Sequence, residues 1–324
     1  MTKAILVHQP GGPEQMRWED VDVGEPGPGQ VRIQQTAVGL NYIDVYHRTG
    51  LYPQPLPFTP GVEGAGVVES IGPGVQGLTV GDRVAYAGPI GGYAEERLIA
   101  ADRLIKLPDD IGDEQAAAMM LQGMTVDMLL NRVRTTQAGE TILVHAAAGG
   151  VGLILCQWAS AIGATVIGTV STEEKAELAR ANGCDHPILY TKQDFVEQVR
   201  ELTGGNGVPV VYDSVGKDTF LRSFDCLAPR GLLVSFGQSS GNVEPFAPGI
   251  LAQKGSLFLT RPTLFNYIAG RGELEQSATA LFEMVRSGKV RIDIGQRFPL
   301  AEAAEAHRAL EARETTGSTV LTIG

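Results

Sequence analysis

Cysteine, positive charge and long apolar runs are all scarce in this sequence. Its three cysteines, Cys156, Cys184 and Cys226, are an odd set without paired spacing, unlike a disulfide framework or a zinc lobe of closely spaced thiolates. Buried or idle thiols are expected. Lys and Arg number 26 against 37 Asp and Glu, a net charge of -11; such a chain repels phosphate backbones and offers nucleic acid no electrostatic footprint. No apolar run approaches the roughly 20 residues that span a bilayer. The first stretch, MTKAILVHQPGGPE, turns polar too early for a secretory signal, so a cytoplasmic protein is expected.

The chain holds 324 residues, 43% hydrophobic and 19% charged. That composition is ordinary for globular proteins, and a prior of roughly 150 residues per domain suggests two domains. From residue 3 to about 100, Gly and Pro punctuate short alternating stretches such as 31–35, 66–71 and 97–100, the texture of a small, bent β domain. After Pro108, segments 113–121 and 125–133 take helical spacing. A regular alternation follows: strand 141–145, helix 151–162, strand 165–170, helix 172–182, strand 187–189, helix 193–202, strand 208–212, helix 218–227, strand 232–236. Alternating βα units joined by short turns force parallel pairing, so an α/β fold with a doubly wound Rossmann sheet is predicted over about 125–262. The tail predicts helices over 274–287 and 301–312 and a closing strand over 318–323, expected to return to the first domain.

The strongest local signal is ILVHAAAGGVGLILCQWA, an apolar strand running into Gly149, Gly150 and Gly152 and then an amphipathic helix. Gly149 would let backbone approach a pyrophosphate, Gly152 would allow helix to pack on strand, and the helix N-terminus offers free N–H groups. The expected cradle is Ala148, Gly149, Gly150, Val151 and Gly152; the first glycine of the usual G-x-G-x-x-G is Ala147. About 20 residues on, where an NAD site would present a carboxylate to the ribose 2′-hydroxyl, the chain reads GTVSTEEK. Ser171 and Thr172 occupy that turn and Lys175 follows, an arrangement suited to a 2′-phosphate, so NADPH is favoured over NADH. The same residues also read as a helix N-cap with Glu173 and Glu174 complementing the dipole. Tyr190 either flanks the same phosphate or packs on the surface.

The segments GLNYIDVYHRTGLYP, TPGVEGAGVVESIGPGV, GDRVAY, HAAAGGVGLILCQWA, VYDSVGKDTF, SFGQSSG and KGSLFLTRPTL are spread along the chain between residues 39 and 264, and the resemblance they carry extends over essentially its whole length. Together they resemble the zinc-free medium-chain dehydrogenase/reductases, and among these the bacterial NADPH quinone oxidoreductases of the zeta-crystallin type. The resemblance implies a discontinuous GroES-like catalytic domain (1–124 and 263–324), a Rossmann NADPH-binding domain (125–262) and an active site in the cleft between them. Zinc relatives carry a cysteine where this chain has Asn41, and G-H-E where it has Gly61, Val62 and Glu63. With two of three protein ligands missing, no metal is expected, and Glu63 is read as structural.

Without a Lewis acid the substrate must already be electrophilic: a quinone, or an alkene conjugated to a carbonyl, reduced by direct hydride transfer without flavin. By the resemblance, the substrate or nicotinamide contacts are Asn41 and Tyr46, then Tyr52, through amide and phenol donors and aromatic faces, with Asp44 orienting a neighbour or positioning a tyrosine. Phe236, Gly237, Gln238 and Ser239 end the fifth strand and Val215 lies at the same edge, where ligands of such sheets bind. The resemblance adds Pro262, Thr263, Leu264 and Phe265 beside the nicotinamide and Arg313 toward the phosphates; Arg313 reads equally as a capping residue of the last helix. Met128 stands where relatives carry a tyrosine. His145 is expected in a buried hydrogen bond, and His47 and His307 show no obvious carboxylate partner. Quinone reduction, enoyl or alkenal reduction with a tyrosine as proton donor, and a non-catalytic crystallin-like or RNA-binding role are the readings to separate. The stretch 255–260 (GSLFLT) reads as an apolar edge strand that a homodimer would cover.

Overall fold

In this computed structural model residues 2–324 are described, and the chain divides into two units. The first unit takes residues up to Met124, Ile268–Phe282 and Ile292–Gly324; the second takes Thr125–Tyr267 and Glu283–Arg291. Residues 263–267 and 283–291 thus cluster with the second unit, for visible reasons. The Gln157 side chain donates to the Arg291 carbonyl (3.0 Å) and accepts from its N–H (2.7 Å), and Arg132 donates to the Tyr267 carbonyl (3.0 Å).

In the first unit, β1 (Thr2–Val7) and β2 (Met16–Val21) form an antiparallel hairpin, followed by β3 (Gln30–Leu40), α1 (Tyr42–Arg48), β4 (Glu63–Ile71), β5 (Arg83–Ala87), β6 (Glu96–Ala100), β7 (Ile105–Lys106), α2 (Asp113–Ala117) and α3 (Met120–Asp127). The second unit supplies β8 (Thr141–Val144), α4 (Gly150–Ile162), β9 (Thr165–Val170), α5 (Glu173–Ala181), β10 (His186–Leu189), α6 (Phe195–Leu202), β11 (Val208–Asp213), α7 (Phe220–Ser223), β12 (Leu227–Ser235), α8 (Gly249–Gln253), β13 (Phe258–Thr260) and α9 (Leu264–Tyr267). The chain ends with α10 (Arg271–Arg286), β14 (Ile294–Pro299), α11 (Ala303–Glu311) and β15 (Ser318–Thr322).

The first unit's main sheet has the order β14-β15-β3-β4-β5-β7, with β6 on β3, so the last strand of the chain pairs antiparallel with the third. Its core joins both chain ends: Ile5, Val7, Val38, Leu40 and Tyr93 pack with Leu300, Ala303, Ala306 and Leu321. Burying the Val, Leu and Ile side chains among these contributes on the order of 1.5–3 kcal/mol each. A buried Arg48 on α1 pairs with Glu311 on α11 at 2.8 Å, tying the two helices together.

The second unit's sheet runs β10-β9-β8-β11-β12-β13, and every pairing in it is parallel. Its interior is the near-continuous apolar set expected of a sheet covered on both faces, with Leu143, Ile167, Val211 and Leu233 beside Phe220 and Phe224.

Several elements differ from the sequence expectation. The helix read over 113–121 breaks at Ala118 into α2 and α3, and 128–133 winds as a π-helix rather than α. The helix read over 218–227 is cut to α7 plus one 3-10 turn at Phe224–Cys226, because Leu227 opens β12 and pairs with Val208. In GSLFLT only Phe258–Thr260 is strand; Gly255 (φ 111°) and Ser256 (φ 57°) turn the chain into it.

Candidate functional site

All strands of the second unit are parallel, so the turns after their carboxyl ends lie along one edge of the sheet, where ligands of this fold class bind. After β8, Ala146 adopts a left-handed φ of 55° and Gly149 caps α4 with no side-chain cap bond, leaving first-turn amides available. A β-carbon at Gly152 would lie 2.3 Å from the Ala146 carbonyl oxygen and 2.8 Å from the Ala147 carbonyl, so the fold itself requires glycine there. At Gly149 the nearest atom to such a carbon is that oxygen at 3.4 Å, an ordinary contact. Nothing in the chain's own packing demands glycine at 149. The opening above the helix N-terminus is a cradle that a methyl group would fill, and it fits a pyrophosphate-bearing ligand. Ala148, Gly150 and Val151 complete this turn.

Register brings the second group together. Leu189 pairs with Val170, so Ser171 and Thr172 after β9 stand beside Tyr190 after β10; the Thr191 hydroxyl donates to the Ser171 carbonyl at 3.0 Å. Thr172 caps α5, its Oγ1 accepting the Lys175 N–H at 3.2 Å. The cap therefore holds the Lys175 backbone in the first turn. Lys192, absent from the sequence expectation, adds a second cation at this edge and pairs with Glu173 at 3.0 Å.

The third group is organised by buried Asp213 at the end of β11, which sequence reasoning missed. Its Oδ1 accepts from the N–H groups of Val215 (2.8 Å) and Gly216 (3.2 Å), and both oxygens accept from Thr219. Its carbonyl accepts the Phe236 N–H at 2.8 Å, and the Ser239 N–H donates to the Ser214 carbonyl at 3.2 Å. Val215, Phe236, Gly237, Gln238 and Ser239 therefore form one folded edge. A β-carbon at Gly237 would sit 2.6 Å from the Ser214 carbonyl oxygen. Thr263, Leu264 and Phe265 follow β13, with Leu264 buried at the start of α9. Met128 is buried too. His145 makes its buried contacts twice, Nδ1 to Thr169 (2.9 Å) and Nε2 to Ser223 (3.0 Å), which leaves no ring nitrogen for acid–base work.

The other expected residues lie in the first unit, around α1. Tyr46 packs against Tyr42 (ring centroids 5.4 Å) and edge-on against Tyr52 (5.1 Å), an aromatic corner suited to a flat ring. Arg313 follows α11 with φ 61° and lies within electrostatic reach of Tyr42. Asp44 does position a tyrosine, but it is Tyr93: its Oδ2 accepts the Asn41 N–H (2.9 Å) and the Tyr93 hydroxyl (3.0 Å). Tyr93 Oη is also 3.1 Å from His307 Nε2. His307, read from sequence as lacking a carboxylate partner, thus reaches one through Tyr93. Burial holds Asp44 up at about 7 and His307 down at about 3.

Asn41 is nearly enclosed, and one N–H of its amide is already engaged. Nδ2 donates to Glu63 Oε2 at 2.6 Å, and Oδ1 accepts from Gln122 Nε2 at 3.1 Å. Glu63 is fully buried, its pKa pushed up to about 8 mainly by that burial. Among the described residues no cluster of three or more His, Cys, Asp or Glu could hold a metal ion, and no helix is long and apolar enough to cross a membrane.

Comparison with known proteins places these features in a family. Residues 27–109 match the alcohol dehydrogenase GroES-like domain and residues 150–284 the zinc-binding dehydrogenase domain. A quinone oxidoreductase of Pseudomonas aeruginosa is 54% identical over 323 residues, 99% of each chain. A 2-haloacrylate reductase of a Burkholderia species is 49% identical, again over 99% of each. Among solved structures, Escherichia coli quinone oxidoreductase complexed with NADPH superposes with a TM-score of 0.97 at 47% identity over 99% of both chains. The chain belongs to the quinone oxidoreductase branch of the medium-chain dehydrogenase/reductase family.

Proposed function

We propose that this chain is an NADPH-dependent quinone reductase that adds a hydride and a proton to its acceptor without metal or flavin. The observation that carries the reading is the cradle at Gly149, left open by the protein's own packing at the N-terminus of α4, in a chain 47% identical to an enzyme solved with NADPH. Bound there, NADPH supplies the hydride. The turn 148–152 would hold its pyrophosphate, and Ser171, Thr172 and Lys175, with Tyr190 beside them, its 2′-phosphate. Val215, Phe236, Gly237, Gln238, Ser239, Thr263, Leu264, Phe265 and Arg313 complete the proposed cofactor contacts. Tyr46 and Tyr52 would stack on the acceptor ring, the second N–H of Asn41 would donate to the oxygen that gains charge, and Asp44 would hold the chain around them. Water can supply the proton, so no histidine is required.

The 49% identical 2-haloacrylate reductase supports a second reading, reduction of a conjugated C=C bond. The net charge of -11 speaks against RNA binding. We further infer a cytoplasmic homodimer, paired through the edge strand β13, whose Phe258 is 60% exposed. The test is steady-state oxidation of NADPH and NADH with simple quinones, 2-haloacrylates and conjugated alkenals. Fast NADPH-specific quinone turnover is expected, and turnover confined to the alkenes would move the assignment to the second reading. Lys175→Ala should raise the NADPH KM about tenfold and leave NADH unchanged; equal effects on both cofactors would refute the phosphate assignment.

A further inference from the structure

Four buried side chains of the first unit form a hydrogen-bond chain with a single direction. The Ser318 hydroxyl donates to Gln122 Oε1 (2.7 Å), Gln122 Nε2 to Asn41 Oδ1 (3.1 Å), and Asn41 Nδ2 to Glu63 Oε2 (2.6 Å). The chain is anchored at its far end by the Leu121 N–H, which donates to Glu63 Oε1 at 2.7 Å. Room for the carboxyl is made by Gly39, where a β-carbon would stand 2.5 Å from Glu63 Oε2 and 2.1 Å from the Ala117 carbonyl oxygen. A buried carboxyl among neutral partners is costly to keep, and a merely packed position would not require one.

We propose that Glu63 is a positioning residue whose protonation state sets the direction of this chain and thereby which edge of the Asn41 amide faces away from it. The inference rests on the reading of Asn41 as a substrate contact. A backbone N–H can only donate, so Oε1 always accepts from Leu121. When Oε2 carries no proton it also can only accept, and Asn41 must offer it Nδ2, as observed. When Oε2 is protonated it must donate. Asn41 then makes a half-turn to offer Oδ1, Gln122 follows, and the Ser318 hydroxyl rotates to the Ala118 carbonyl, already 2.9 Å away. Every member of the chain keeps a partner in both states; the half-turn also takes Oδ1 away from the Asp44 N–H that it faces in the capping box, and that N–H keeps the Asn41 carbonyl at 3.0 Å. The Asn41 backbone is held by Asp44, which confines the change to the amide. The ionisable groups facing Glu63 are Asp44 on α1, Tyr86 on β5 and Tyr93. Burial and the nearby Asp44 raise its proton affinity into the range where enzymes are assayed.

The enzyme labelled with 15N-asparagine, which has six such residues, tests this in the absence of substrate. The side-chain amide pair that disappears in Asn41→Asp should shift with pH through one ionisation, and in Glu63→Gln it should stop titrating, because the new amide can only donate toward position 41. In turnover, Glu63→Gln should lower kcat about tenfold with the NADPH KM within about twofold, and should lose the acid-side fall of the wild-type kcat profile. The double variant Glu63→Gln, Asn41→Asp moves the carboxylate along the chain, keeps every partner satisfied and should melt like wild type, yet its kcat should be no higher than that of Glu63→Gln. An Asn41 amide that does not move with pH, or moves alike in Glu63→Gln, overturns the proposal, as does an unchanged kcat profile in that variant. A Glu63-dependent titration in a protein that reduces neither quinones nor conjugated alkenes would sustain the positioning role and reject the proposed function instead.

Discussion

Alanine at position 149 and alanine at position 152 make the same chemical change three residues apart, and the structure assigns them opposite consequences. At Gly152 the new β-carbon would meet backbone, 2.3 Å from the Ala146 carbonyl oxygen. Ordinary contact needs about 1 Å more, so the start of α4 must retreat from the turn, an overpacking that costs about 1–3 kcal/mol. The intrinsic preference of a helix for Ala over Gly, roughly 1 kcal/mol, offsets only part of this. At Gly149 the backbone is extended (φ -80°, ψ 173°) and the nearest atom is 3.4 Å off, so stability should change by less than about 1 kcal/mol. Its methyl group would occupy the space the pyrophosphate needs, raising the NADPH Kd by about 10–100-fold, or roughly 1.4–2.8 kcal/mol. Guanidinium denaturation and a fluorescence titration with NADPH separate the two. Gly149→Ala unfolding as early as Gly152→Ala, or binding NADPH like wild type, would refute the assignment of one glycine to packing and the other to the ligand.

Protonation should expose the buried network of the first unit. His307, held at about 3 against an ordinary 6.5 by burial, stays neutral when folded, so its contribution is complete above pH 6.5 and is lost as pH falls toward 3. Asp44 and Glu63, held up at about 7 and about 8, act in the opposite sense: what they contribute is complete below their ordinary values and is lost as pH rises through 7 and 8. Between pH 6.5 and about 5, wild type should therefore lose about 2 kcal/mol relative to His307→Gln; parallel pH slopes in denaturant titrations would remove the argument. Tyr93→Phe deletes the hydroxyl between Asp44 and His307 and should cost about 1–3 kcal/mol by chemical denaturation, with no loss expected if the bridge is idle. Phe258→Glu places a charge on the exposed edge of β13 and should convert the proposed dimer to monomer in sedimentation velocity; a wild-type monomer would sink the dimer itself.

The alternation of the second unit was legible because it is local. Strand and helix periods, the N-cap at Thr172 and the strand–glycine–helix run after residue 141 each depend on neighbours within a few residues, and the observed β8, α4, β9 and α5 follow them closely. Local reading failed where a long-range pairing took precedence: Leu227, apolar at helical spacing, was drawn into β12 by Val208. The first unit's polar network lay beyond the sequence for the same reason. Tyr93 is 49 residues from Asp44 and 214 from His307, and Ser318 is 196 from Gln122. These groups meet because β15 pairs with β3 and the core folds both chain ends over α1, and no local pattern encodes such distances. Composition, periodicity and the strand–glycine–helix run by themselves determined the doubly wound sheet and the glycine turn at its carboxyl edge. Only the tertiary structure decided that Asn41 answers to Glu63 and Asp44 to Tyr93, because a hydrogen-bond partner is chosen by proximity in space, and here that proximity is created by the order of strands in a sheet.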